Sequence, residues 1–306
     1  MNNQDRSLLT FHQDTALFRE SVIYSAAETG FAARLIEKDY FCSVLLAYLA
    51  NYDKQCVFKG GTCLTKVHLG FYRLSEDLDY VMPMPTDAPR SQRSKQAGAL
   101  KQAMAAVEQD LDCFSTHKPL QGANNSTQYN GVLQYRSLLD GKDETIKIEM
   151  SLREPLLEPA VIGQAHSILR DPIVNEPVVP TISINCISKA EAMAEKCRAA
   201  LTRRDIAIRD FFDIAYAVDN YGLDIRDPKF LALIKAKLSI PGNGPIRFND
   251  ERRADLGKQV STRLRPVLRE KDYIKFDIDY AFSLVSDIVE MMEDFPEDRR
   301  QKSDDG

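Results

Sequence analysis

KGGTCLTKVHLGFYRLSEDLDYVM, residues 59–82, is the stretch from which the fold can be read. A short apolar strand, Cys56-Val57-Phe58, leads into Gly60-Gly61, and a short helix is expected from Thr62 to Leu69 before a turn at Gly70. Neither glycine carries a Cβ, so the backbone can approach a ligand closely there. The helix that follows presents its unpaired N–H groups and positive dipole end to an anion such as a phosphate. Asp77 and Asp79 stand two apart in what reads as a strand, which turns both carboxylates to one face. Two carboxylates beside a phosphate cradle make a seat for Mg²⁺ or Mn²⁺ carrying a nucleoside triphosphate. A P-loop is excluded, because that pattern needs a glycine directly before its lysine and here Leu64-Thr65 precede Lys66.

The run Lys59-Gly60-Gly61-Thr62-Cys63-Leu64-Thr65-Lys66 followed by Arg73-Leu74-Ser75-Glu76-Asp77-Leu78-Asp79 resembles the signature of the AbiEii/AbiGii nucleotidyltransferase toxins, the family that includes the MenT toxins. Only Leu74 and Leu78 depart from that signature, both conservatively. Further pieces resemble the family: Glu37-Lys38-Asp39-Tyr40 ahead of the signature, I-K-I-E-M-S-x-R-E around Glu149, and Glu195, Lys196, Ala199, Arg204, Arg209, Asp210 and Asp213 further on. The resemblance covers roughly residues 35–215.

Around this stretch the chain is an ordinary soluble type, 306 residues with 44% hydrophobic and 28% charged side chains. A formal net charge of −5 gives no global attraction to nucleic acid, so any such contact falls to local basic patches. The six scattered cysteines contain no C-x-x-C pair, and no secretory segment opens the chain, which points to reduced thiols in the cytoplasm and no membrane partner. The four histidines show no metal-ligand spacing with a cysteine or with one another.

Periodicity predicts helices over 11–29 and 32–49, the latter burying Leu35, Phe41, Leu45 and Leu49; its Glu37-Lys38-Asp39 run serves equally well as a solvated face. A polar helix over 89–111, a turn-rich loop over 121–126 and a hairpin of 127–138 with 145–153 follow. In the second hairpin strand Ile146, Ile148 and Met150 face one way, and Lys147, Glu149 and Ser151 the other. Residues 154–180 are Pro-rich and irregular and mark a domain seam. After a strand at 181–187, Ser188-x-x-Glu191 reads as a capping box. The remainder is helical, with a charged tail over 297–306. The expected fold is α+β: a nucleotidyltransferase-type mixed sheet with flanking helices over 1–155, and a mainly helical domain over 156–306 that completes the active site.

What the resemblance implies is a nucleotidyltransferase that moves NMP from an NTP to an acceptor, the 3′ end of tRNA, as the toxin of a toxin–antitoxin pair. Asp77, Asp79 and Glu149 would hold the metal, with Lys196 and Asp213 also in the catalytic set. Lys59, Gly60, Gly61, Thr62, Lys66, Ser75 and Lys196 would bind the nucleotide. For Asp210 and Asp213, catalysis and simple scaffolding weigh equally, the alternative for Arg209 and Asp213 being an i,i+4 ion pair, while Lys196 reads as functional. Lys196, Arg198, Arg203, Arg204 and Arg209 form the densest basic patch, a candidate RNA contact. Ser75 either caps the turn or is a position where a phosphate would repel the triphosphate. The antitoxin would be a kinase or a DNA-binding repressor. Nucleotidylation of a small molecule or protein hydroxyl, and a non-catalytic nucleotide-binding module, stay open as alternatives.

Overall fold

A computed structural model describes residues 10–52 and 55–294. It divides into two compact units, residues 1–192 with 265–274 and residues 193–264 with 275–306. The expected tail over 297–306 lies outside the described residues.

The first unit is built on one mixed sheet of seven strands in the order β3-β4-β5-β2-β1-β7-β6. These are β1 (Val57–Lys59), β2 (Leu78–Val81), β3 (Ser115–Ala123), β4 (Gln128–Arg136), β5 (Asp143–Ser151), β6 (Val161–Ala165) and β7 (Ile182–Cys186). The centre mixes directions: β2 runs antiparallel to β1 and parallel to β5, while β1 runs parallel to β7. Two strands escape the sequence reading. β3 covers residues 115–120, to which the sequence reading gave no element, and runs into the loop read over 121–126, because its exposed polar residues carry little apolar signal. β6 lies inside the Pro-rich segment taken as a seam and pairs antiparallel with β7. The boundary expected at 155/156 therefore moves: β6 and β7 extend the same sheet, and the units part at 192/193.

Helices α1 (Thr15–Thr29) and α2 (Ala33–Ala50) precede the sheet. Gly30 ends α1 in the left-handed conformation at φ 77°, where a Cβ would be strained. α2 is buried on nearly every side, and its Phe41 stacks on Tyr135 of β4 at 4.1 Å between ring centroids. The helix over 89–111 breaks at Ala97 into α4 (Arg90–Gln96) and α5 (Gly98–Asp110), with Leu100, Met104 and Val107 in the core. Between β1 and β2 lies α3 (Gly60–Cys63), which widens into a π-helical turn over Leu64–His68 marked by the Leu69 N–H bonding Leu64 O at 2.8 Å. The glycines thus open this helix instead of preceding it.

The Glu37-Lys38-Asp39 run is not a solvated face. All three side chains are buried, and each reaches a different part of the unit. Glu37 accepts from Ser137 Oγ at 2.7 Å and Leu138 N at 2.7 Å, and burial pushes its carboxyl above the usual range against those bonds. Lys38 pairs with Glu76 at 3.5 Å, just before the acid strand. Asp39 accepts from Lys66 Nζ at 2.5 Å through Oδ1, and from Ser167 Oγ and Ile168 N at 3.2 and 3.1 Å through Oδ2. Lys66 Nζ also donates to Ser43 Oγ at 2.8 Å and to the carbonyls of Asp39 and His166 at 3.3 Å. An ion pair with both heads this fully bonded survives burial; with one head removed, the other is left charged and unsolvated.

α6 (Lys189–Thr202) begins in the first unit, where Ser188 Oγ accepts from Glu191 N at 3.0 Å. The Glu191 carboxylate also accepts from the N–H groups of Leu157 and Glu158. In the second unit α7 (Ile208–Tyr221) stops at left-handed Gly222, and α8 (Pro228–Leu238) starts with the Asp227 cap and a proline in its first turn. α9 (Asp250–Gln259) is capped by Asn249, and α11 (Ile278–Asp294) closes the unit. Phe282 of α11 stacks on Phe248 at 4.1 Å and on Phe211 at 6.1 Å. A further short helix, α10 (Glu270–Lys275), falls almost wholly in the part of the chain that returns to the first unit. No helix among the described residues is long and apolar enough to cross a membrane.

Removing one partner of the Asp39–Lys66 pair, as Asp39→Ala or Lys66→Met, should cost about 3–5 kcal/mol in urea unfolding. The double variant Asp39→Leu/Lys66→Met should lose clearly less than the sum. Single variants within about 1 kcal/mol of the parent would show that the pair holds nothing.

Candidate active site

The strand registers assemble the site. Lys59 of β1 pairs with Asp79 of β2, Asp79 with Glu149 of β5, and Glu149 with Asn130 of β4. Residues opposite one another on neighbouring strands share a face, so these four form a row across the sheet. The opposite face carries Phe58, Leu78, Tyr80, Ile146, Ile148 and Met150 into the core. Alternation thus leaves the polar row half-exposed, and the position expected for Glu149 beside the Asp-x-Asp segment is the one observed. Asp77 sits just ahead of β2, where its Oδ1 accepts from Lys147 N at 3.2 Å.

The gap beside the glycines is filled by the site's own side chains. Gly60 holds φ 75°, and a Cβ there would fall 2.8 Å from Asp79 Cβ and closer still to its carboxylate. A Cβ on Gly61 would lie 2.8 Å from Arg73 Nη2 and 3.0 Å from Ser75 Oγ. The glycines therefore admit an acid and a base of the signature itself, rather than standing open to a ligand on that side. Arg73 is among the largest fully buried side chains and lies with its charge under the Gly61 turn. Thr62, also buried, donates its hydroxyl to Asp77 O in a short hydrogen bond, so it ties the helix start to the acid segment.

Lys147 is a site residue that the sequence reading passed over. Its Nζ lies 2.7 Å from Glu149 Oε2. Partial burial works against its charge, but the Glu149 hydrogen bond and the charges of Glu149, Asp79 and Asp77 hold the ammonium above its ordinary range. The alternation that marked Glu149 places Lys147 two residues earlier on the same face, and that signal could have found it. One ammonium thus stands among three carboxylates. The oxygens form a hard donor set of the kind Mg²⁺ and Mn²⁺ take, and the cation-seeking character of the cluster is visible in how it holds Lys147. The three carboxylates do not converge within 4.8 Å of one another; Glu149 is drawn to Lys147.

Other expected residues are placed differently. Lys66 is a correction: buried at 1% exposure on Asp39, its charge is matched within the fold and not offered to a triphosphate. Lys196 and Asp213 belong to the second unit. There Lys196 Nζ pairs with Asp210 at 2.8 Å and Asp213 at 2.9 Å, and Arg203 pairs with Asp210 at 2.9 Å. The basic patch read from 196–209 is to that extent neutralised by its own aspartates, and Asp213 finds its partner in Lys196.

The histidine reading is also corrected. Cys63, His68 and Cys186 bring one ligand atom each within 4.8 Å of the others, a grouping invisible to spacing because Cys186 arrives from β7. A hydrogen bond from Cys63, outweighing burial, with further ones from His68 and Gly163 N, brings the Cys186 thiol down to about 5. All six cysteines are free thiols.

The family model described as "Nucleotidyl transferase AbiEii toxin, Type IV TA system" matches residues 44–290. No curated protein matches the chain by sequence. Among solved structures, the nucleotidyltransferase toxin MenT4 from Mycobacterium tuberculosis is 17% identical and aligns over 90% of this chain and 92% of its own, with a TM-score of 0.51. JHP933 from Helicobacter pylori is 15% identical over 86% of this chain and 94% of its own, with a TM-score of 0.48. At this identity the MenT4 likeness shows a shared fold.

The Gly61 contacts set an expectation opposite to that of an open cradle. Gly61→Val should destabilise the protein by about 1–3 kcal/mol, because a branched Cβ meets a buried guanidinium. Urea unfolding measures it; a stable variant that has lost only nucleotide affinity would restore the open cradle.

Proposed function

The chain belongs to the family of AbiEii nucleotidyl transferase toxins of toxin–antitoxin systems, and we propose that it transfers NMP from an NTP to the 3′ end of tRNA. The observation that carries this is the row Lys59–Asp79–Glu149 beside the Gly60-Gly61 turn, with Asp77 at its edge. Asp77, Asp79 and Glu149 would hold Mg²⁺ or Mn²⁺, Glu149 exchanging Lys147 for the ion. Such an ion, when bound, neutralises phosphate charge and lowers the pKa of the acceptor hydroxyl.

The chain's own groups do the positioning. The triphosphate lies along the start of α3, where backbone N–H groups face an anion, with Lys59 and Ser75 beside it. Arg73 supports the turn from within, and Thr62 fixes the distance from the turn to Asp77. Lys147, released by Glu149, keeps a positive charge next to the developing charge on the phosphates. The acceptor hydroxyl oxygen forms a bond to the α-phosphorus as the bond to the β-phosphate oxygen breaks. Pyrophosphate leaves, and the hydroxyl proton passes to Glu149 or solvent. Lys196 and Asp213, paired with one another in the second unit, are part of the proposed catalytic set. The antitoxin partner is a kinase or a DNA-binding repressor, the former acting by a phosphate on Ser75, beside Gly61.

Incubation with each labelled NTP and total tRNA, with and without Mg²⁺, tests this. Label should enter tRNA, need the divalent ion, and fall by at least about a hundredfold in Asp79→Asn, which keeps the side chain's shape against Gly60. Transfer undiminished in that variant would remove Asp79 from the chemistry.

A further inference from the structure

Cys63 closes α3, His68 closes the π-helical turn and Cys186 closes β7, and none of them is needed for the nucleotidyl transfer described above. In a helix of 3.6 residues per turn, a side chain five positions on is rotated well away from the first. The wider turn over 64–68 brings His68 back beneath Cys63. The three candidate ligand atoms come within 4.8 Å of one another. Tetrahedral zinc with Zn–S near 2.3 Å and Zn–N near 2.0–2.1 Å separates its ligand atoms by roughly 3.5–3.8 Å, so small inward shifts complete the set.

The surroundings are those of a ligand set. His68 Nε2 lies 2.8 Å from the Ile187 carbonyl, which can only accept; Nε2 therefore carries a proton, and in the neutral ring that binds a metal Nδ1 keeps the lone pair. A ring nitrogen tied to a backbone carbonyl is the outer-sphere arrangement found around metal-bound imidazole. The Gly163 N–H bonds the Cys186 sulfur, and a Cβ on Gly163 would lie 2.6 Å from it, so only glycine lets β6 approach. Both sulfurs are buried while His68 is half-exposed, which leaves one side for an ion to enter and for a fourth ligand.

We infer that Cys63, His68 and Cys186 form a site for a soft divalent cation of the zinc class, bound through two thiolates and His68 Nδ1. Two thiolates cancel the ion's charge, so the buried site is neutral when filled. A Cys63–Cys186 disulfide would leave His68 without a role. Because Cys63 ends the helix that Gly60 begins, a bound ion ties the signature turn to β7. This soft site is chemically distinct from the oxygen site at Asp77, Asp79 and Glu149.

Titration of the reduced, chelator-treated full chain with cobalt(II) tests the site independently of catalysis. A thiolate-to-cobalt charge-transfer band should saturate at about one equivalent and vanish on adding zinc, since zinc is the tighter ion for such ligands. Asp79→Asn should keep the band and Cys186→Ser should lose it, with circular dichroism reporting folding. If Cys186→Ser fails to fold, His68→Ala carries the test, and its cobalt affinity should fall at least tenfold. No band in the parent chain, a band unchanged in Cys186→Ser or in His68→Ala, or a Cys63–Cys186 disulfide in freshly isolated protein would overturn the proposal.

Discussion

Asp39 and Lys66 bring opposite charges together at 2.5 Å where both side chains are almost closed to water. Stripping two ions of solvent costs several kcal/mol each, and attraction alone does not reliably repay it. Here the remaining valences are met by Ser43, Ser167, Ile168 N and two carbonyls, so the pair works as a fixed joint. It locks α2 to the helix that Gly60 begins and to the segment after β6. With Lys38 on Glu76 and Glu37 on the β4–β5 turn, one turn of α2 fixes three pieces of chain. Those pieces carry or adjoin the signature turn, the acid strand and the strand of Glu149.

The charge arrangement at the site follows from sheet geometry. A parallel register sets Asp79 beside Glu149, and the period of two adds Lys147 to the same face. Three carboxylates on one half-exposed face repel one another, and Lys147 sets an ammonium against Glu149 there. In the proposed mechanism a metal ion takes the place of Lys147 on Glu149.

Much of this was legible in the chain. The signature and the hairpin alternation are local, and local chemistry decided them. The family match runs on to residue 290, beyond the range of the resemblance, and begins at 44, after the Glu37-Lys38-Asp39 run. What failed was long-range. Whether Lys66 meets a phosphate or Asp39 depends on where α2 lies. Whether Cys63 and His68 have a third partner depends on β7. β3 and β6 carry too little apolar pattern to stand out, and the sheet is what makes them strands. The glycines also make room within the signature itself, since a Cβ on either would meet Asp79 or Arg73.

The central claim is that Asp77, Asp79 and Glu149 gather a divalent ion against the turn at Gly60-Gly61. Crystals grown with Mn²⁺ and a non-hydrolysable NTP, measured for manganese anomalous scattering, test it most directly. The account predicts an anomalous peak bonded to Asp77, Asp79 and Glu149, Lys147 parted from Glu149, and the triphosphate along the start of α3. A triphosphate bound elsewhere in the chain, with the Lys147–Glu149 pair intact and no manganese at the three acids, would contradict it.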